Sequence, residues 1–165
     1  MVYTPIERIR MQLRVLKRIP LGEVDRRVTE LEEKYGGSLE NIPEQFAERT
    51  VDRQVFEDYV EWMGMVHALR AYGEGEDFDY LTEEIMDLGD EEISRLTPRR
   101  IELLDKISRS QVSSINDLAK QIGRDVKNVY VDLKTLEGMG FLRLVREGRN
   151  VVPELLVHEI TILLW

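Results

Sequence analysis

Gly123-Arg124-Asp125 sits between two apolar stripes of helical period, and this junction constrains the fold more than any other part of the chain. Before it come Leu118, Ala119 and Ile122, with Asn116 placed to cap their helix. After it come Val126, Val129 or Tyr130, Leu133 and Leu136, one buried face of a second helix. Glycine takes the positive φ that reverses a chain within a few residues, and an aspartate caps the free N–H groups of the helix that follows. Ala119 is small where two crossing helices must come close. Upstream, Thr97-Pro98 starts another helix that runs to about Arg109, with Ile101, Leu104 and Ile107 or Ser108 facing inward. Downstream, Gly138 and Gly140 bracket Met139 and end the second stripe. Then Phe141–Arg146 reads as a strand, 147–150 as a turn and Val151–Val152 as its return. Helix, helix, turn, helix, hairpin is the order of a winged helix-turn-helix.

That order gives the polar residues a reading. The outer face of the helix after the turn presents Lys127, Asn128, Val131 and Lys134, and Arg124 lies in the turn itself. Lysine can pair with phosphate or guanine, and asparagine can read adenine bidentately. Arg143, Arg146 and Arg149 decorate the hairpin, as expected of a wing on the DNA backbone. These eight residues are the expected DNA-binding set. The same scaffold also serves as a structural or protein-binding module, and that alternative stays open.

Net charge first argues against nucleic acid: 23 Lys and Arg against 32 Asp and Glu leave −9. Divided at residue 95, the picture changes. Residues 1–95 hold 12 basic and 23 acidic residues, net −11, and residues 96–165 hold 11 and 9, net +2. The expectation is therefore two modules: an acidic helical module for dimerisation or partner binding over 1–95, linker included, and a mildly basic winged helix over 96–165. The fold class expected is mainly α with a small β wing.

Within 1–95, Ile6, Ile9, Leu13 and Leu16 recur at helical spacing and predict a first helix, its other side carrying Arg8, Arg10, Arg14, Lys17 and Arg18. Such a helix can lie on an anionic membrane or dock on another helix, and its small apolar face favours docking. Pro20 ends it. A second helix over 21–35 buries Val24, Val28, Leu31 and Tyr35 and stops at Gly36-Gly37, after which Ser38 caps a short turn that includes Ile42 and Phe46. A longer helix spans about 52–72, with Phe56, Tyr59, Met63, Val66 and Leu69 on one face, flanked by Val55 and Trp62. Phe56, Tyr59, Trp62, Met63 and Val66 form the expected partner-binding set, although Tyr59 and Trp62 read first as local core and only second as interface anchors.

Residues 73–95 are dominated by glycine and carboxylates and read as an acidic loop with a short helix near 81–87. Its carboxylates lack the spacing of a calcium loop. It reads either as a solvated linker or as a phosphate mimic that straps a basic surface. The tail Leu155–Trp165 alternates like a strand and is expected to pack on the N-terminal helices or to pair with a second subunit.

The run LTPRRIELLDKI … SINDLAKQIGRDVKNVYVDLKTLEGMGFL, Leu96 to Leu142, resembles the archaeal MarR-like winged-helix regulators, with GRDVKNV (Gly123–Val129) its most specific part. The resemblance implies a dimeric DNA-binding protein. It departs from the pattern at Val131, where similar proteins often carry a basic residue. ELEEKYGGSLENIPEQF and FEDYVEWMGMVHAL (30–46 and 56–69) also look similar to short archaeal antitoxin-like proteins, in which such a segment binds a toxin. The resemblance thus implies an autoregulating antitoxin-type transcriptional regulator, a homodimer with duplex DNA and a toxin protein as partners.

Enzyme chemistry finds little support. The two histidines, His67 and His158, lie far apart in sequence, there is no cysteine, and no nucleophile motif, phosphate-binding glycine loop or HExxH appears. No cofactor or metal is expected. No apolar run approaches a membrane span and no signal peptide is visible, so the expected location is cytoplasmic.

Overall fold

The structure, a computed structural model, describes residues 11–41, 52–76 and 79–164. In chain order its elements are strand β1 (Met11–Ile19), helix α1 (Leu21–Tyr35), a 3-10 turn (Leu39–Asn41), α2 (Arg53–Gly73), β2 (Tyr80–Leu88), α3 (Asp90–Arg95), α4 (Pro98–Arg109), α5 (Ile115–Ile122), α6 (Val126–Gly138), and β3 (Leu142–Glu147), β4 (Asn150–Leu155) and β5 (Val157–Leu163). Helices dominate, with two small sheets: the hairpin β3-β4 and a three-stranded sheet in the order β2-β1-β5. The second sheet exceeds the single small wing expected from the sequence.

The chain forms two compact units, Met1–Lys17 with Glu83–Trp165, and Arg18–Thr82. The division expected at residue 95 is not where the contacts divide. Residues 83–95 belong with the C-terminal elements, and so does the start of β1.

Two expected elements are replaced. The first helix is corrected to a strand: β1 carries Leu13 and Val15 buried, with Arg14 exposed between them. The stretch MQLRVLKRI satisfies both periods, since Leu13 and Leu16 fit a helix while Met11, Leu13 and Val15 fit a strand. A distant partner decides. β5 pairs antiparallel with β1, Leu13 opposite Ile162 and Val15 opposite Ile160, with a bulge at Leu16/Lys17. The tail thus pairs with this strand of its own chain, where packing on N-terminal helices was expected. Ile6 and Ile9 lie outside the described residues, as do Ile42 and Phe46. The acidic loop with its short helix is likewise corrected: 80–88 is strand β2, its last residue Leu88 buried, and α3 follows.

In the larger unit one core gathers Leu13 and Val15 of β1, Leu88, Leu103 and Leu104 of α4, Ile115, Leu118 and Ala119 of α5, Val129, Leu133 and Leu136 of α6, and Phe141, Leu142 and Val157. Each fully buried large side chain contributes about 1.5–3 kcal/mol by leaving water. On α4 the inward pair is Leu103 and Leu104; Ile101, expected inside, is 51% exposed. Gly140 takes φ +76°, a conformation that L side chains rarely adopt, so the sharp exit from α6 favours glycine.

In the smaller unit α1 and α2 pack through Val24, Val28, Leu31, Trp62 and Met65, and Tyr35 stacks on Trp62 with ring centroids 5.8 Å apart. α2 has the expected length but a rotated face. Trp62, Met65, Ala68 and Ala71 point inward together with Asp58, a carboxylate only 2% exposed. Lys34 Nζ at 2.5 Å, the Tyr35 hydroxyl at 2.8 Å and Gln54 Nε2 at 3.0 Å all donate to it. Burial works to raise the Asp58 carboxyl, but these hydrogen bonds outweigh it and hold it at about 2. Arg27 adds a two-pronged bond to Glu61 at 3.1 and 3.0 Å, again joining α1 to α2.

Candidate nucleic-acid interface

α5, the turn and α6 form as their sequence dictates. The cap of α5 is Ser114, two residues before the expected Asn116, which lies inside the helix; the Ser114 hydroxyl accepts from Asp117 N at 3.0 Å. Gly123 takes φ +65° and closes α5, with its N–H on Ala119 and Lys120 carbonyls. Asp125 Oδ1 accepts from the N–H groups of Lys127 and Asn128 at 3.0 and 3.2 Å and caps α6. Val129, Leu133 and Leu136 are then fully buried, which fixes the rotation of α6 about its axis. The alternatives for its inner stripe resolve to Val129. Val126, expected inside, is exposed, as is Tyr130.

One ionic knot secures α6 to its neighbours. Asp132 accepts from Arg124 Nη2 at 2.6 Å and from Arg100 Nε at 3.0 Å, while Arg100 Nη1 also donates to the Arg95 carbonyl at 2.8 Å. Burial pushes the Asp132 carboxyl up, and the two guanidinium groups bring it below the usual carboxylate range. Arg124 Nη1 is buried without a hydrogen-bond partner among the described residues.

The eight expected DNA-binding residues therefore separate into two groups. Arg124 is tied to Asp132, Lys134 to Glu137 at 2.5 Å, and Arg143 to Glu154 at 2.5 Å across the hairpin register. Glu137 also accepts from the Leu144 N–H at 3.1 Å, so the Lys134 pair helps to seat β3 against α6. Lys127, Asn128, Val131, Arg146 and Arg149 are exposed, and their side chains make no ion pair or hydrogen bond with a described residue. Arg146 lies near the end of β3, and Arg149 follows Gly148, whose φ of +61° makes the two-residue turn of the hairpin.

Two grooves flank α6. One is lined by Ser114, Asn116, Lys127, Tyr130, Arg149 and Asn150. The other is lined by Pro98, Arg99, Asn128 and Val131, with Arg100 and Arg124 at its wall. Arg99 and Tyr130 join the surface although sequence reasoning missed them. Arg99 lies on the helix that Thr97-Pro98 starts, of which the sequence singled out only the inward-facing residues, and Tyr130 was an alternative for the buried stripe.

The partner-binding set divides too. Phe56 is 60% exposed and Met63 is exposed, and Val60 between them completes a stripe at i, i+4 and i+7. Tyr59 and Val66 are half-buried. Trp62 is corrected: it is fully buried in the core of its unit and has no surface to offer. Among the described residues no group of three His, Asp or Glu side chains could hold a metal ion, and no helix is long and apolar enough to cross a membrane.

The fold and the surface on it define a helical domain closed by antiparallel strands, with a cation-bearing hairpin beside its last helix. Residues 95–162, which take in α4 to all but the end of β5, match the model of the HVO_A0114 family. The chain matches no curated protein and no solved structure.

Proposed function

We propose that α4, α5, α6 and the β3-β4 hairpin form a MarR-like winged helix that binds duplex DNA, and that the protein is a transcriptional regulator. The observation that carries this reading is the outer face of α6: its inner stripe is consumed by the core, while Lys127, Asn128 and Val131 remain unengaged beside a hairpin bearing Arg146 and Arg149. A helix so presented, with cations on an adjoining hairpin, suits a major groove and its flanking phosphates. Two copies would place two such helices on successive half-sites. The exposed stripe Phe56–Val60–Met63 on α2, in the unit that holds the excess acid, suits a partner protein; together with the antitoxin-like resemblance of 30–46 and 56–69 it supports an antitoxin-like role, with a basic toxin held there and the operator its own.

The test is binding of the purified protein to its upstream DNA. Lys127→Ala combined with Arg149→Ala is expected to weaken binding at least tenfold, since hydrogen bonds to charged groups contribute about 1.5–3 kcal/mol each. Unchanged affinity in the double variant would overturn the placement of the surface. A second reading has one observation in its favour: three of the eight expected contact residues already hold carboxylates. In that reading the domain is a scaffold that contacts protein and binds no DNA at low salt.

A further inference from the structure

We infer that the reading helix recognises an A·T base pair through the pair Asn128 and Val131, with Val131 seated on the thymine methyl. This rests on the DNA-binding reading above and adds what the helix selects. Val131 is 52% exposed on the outward side of α6, one turn on from Lys127 and within one groove with Asn128. Two polar neighbours of Val131 on α6 are already engaged within the protein. Asp132, next in sequence, would otherwise accept from cytosine N4, but both its oxygens are held by Arg124 and Arg100. Lys134, one turn further, would otherwise donate to guanine, but its ammonium is held by Glu137. The centre of the reading face is thus a branched apolar side chain with an amide beside it.

Major-groove chemistry leaves one match. The thymine C5 methyl is the only apolar group that any base pair presents there, and the adenine of the same pair offers the N6 donor and N7 acceptor that an asparagine amide satisfies bidentately. Against guanine or cytosine, Val131 would cover polar atoms and return no hydrogen bond.

The experiment selects bound duplexes from a randomised pool with the full-length protein, then replaces each thymine of the selected site by deoxyuracil in turn. Removal of one buried methyl is expected to weaken wild-type binding about fourfold at one position of each half-site. Val131→Ala is expected to bind the thymine duplex about fourfold more weakly and to be indifferent to deoxyuracil at that position. Binding that tolerates deoxyuracil everywhere, or a variant as sensitive as the wild type, overturns the inference and leaves the DNA-binding reading intact. Selection that enriches no duplex overturns both.

Discussion

The two units handle charge in opposite ways. The unit of residues 18–82 carries 7 basic and 16 acidic residues, net −9; the other carries 16 and 16, net 0. All of the excess acid therefore lies in the smaller unit, and the larger one is neutral rather than mildly basic. In the smaller unit a carboxylate is buried and its partners reach in from the surface: Asp58 is 2% exposed, while the side chain of Lys34 is about half exposed. In the larger unit carboxylates pin down arginines at the rear of α6 and along the hairpin, which leaves a few cations outward. A neutral domain binds an anionic polymer through the placement of such cations rather than through their number.

The largest effect is expected at Asp58. Asp58→Ala leaves Lys34, Tyr35 and Gln54 without their common acceptor and is expected to destabilise the smaller unit by about 2 kcal/mol, below the value for a fully buried pair because Lys34 is partly solvated. Hydrogen exchange resolved along the chain checks this: protection should fall in α1 and α2 and persist in α4 to α6. Loss of protection throughout would mean that the two units do not differ as described. The same carboxyl gives a pH signature. Its folded value, about 2, lies below the ordinary carboxylate value of 3.8. Its contribution is then fully present above about pH 4 and is lost as pH falls towards 2 and below, a change of about 2 kcal/mol. In Asp58→Ala that part of the acid transition should be absent.

A smaller effect is expected at Asp132. Asp132→Asn removes the charge that Arg100 and Arg124 share and should cost the larger unit about 1–2 kcal/mol, seen as lowered protection in α6. It should also steepen the salt dependence of DNA binding, because two guanidinium groups lose their internal counter-charge. A stability loss with an unchanged slope would mean that those arginines stay turned away from DNA.

What the sequence revealed follows local chemistry. The starts of α4 and α6 and the turn between α5 and α6 rest on Thr97, Gly123 and Asp125, whose roles depend on neighbours within one turn, and these were legible. β1 was not, because Met11–Ile19 suits either period and the deciding partner β5 lies at the other end of the chain. The face of α2 was not, because apolar residues surround that helix: the core takes Trp62 and two alanines and leaves Phe56 outside, while Asp58 joins the buried side through Lys34 and Tyr35 on α1. At the candidate interface the residue types were legible. Which cations stay unengaged was not, because Glu137, Glu154 and Asp132 find their partners only once helix and hairpin have packed.

The central claim is that few of the basic residues around α6 face outward without a partner, and the salt dependence of duplex binding measures this directly. Lys127, Arg146 and Arg149, with Arg99 on α4, together give a slope of log affinity against log salt of about −3.6 per copy, each alanine substitution among the first three lowering it by about 0.9. A slope near that value, reduced stepwise by those three substitutions and untouched by Arg143→Ala, is the expected result. A flat dependence, or a slope that Arg143→Ala lowers as much as Lys127→Ala does, would contradict it.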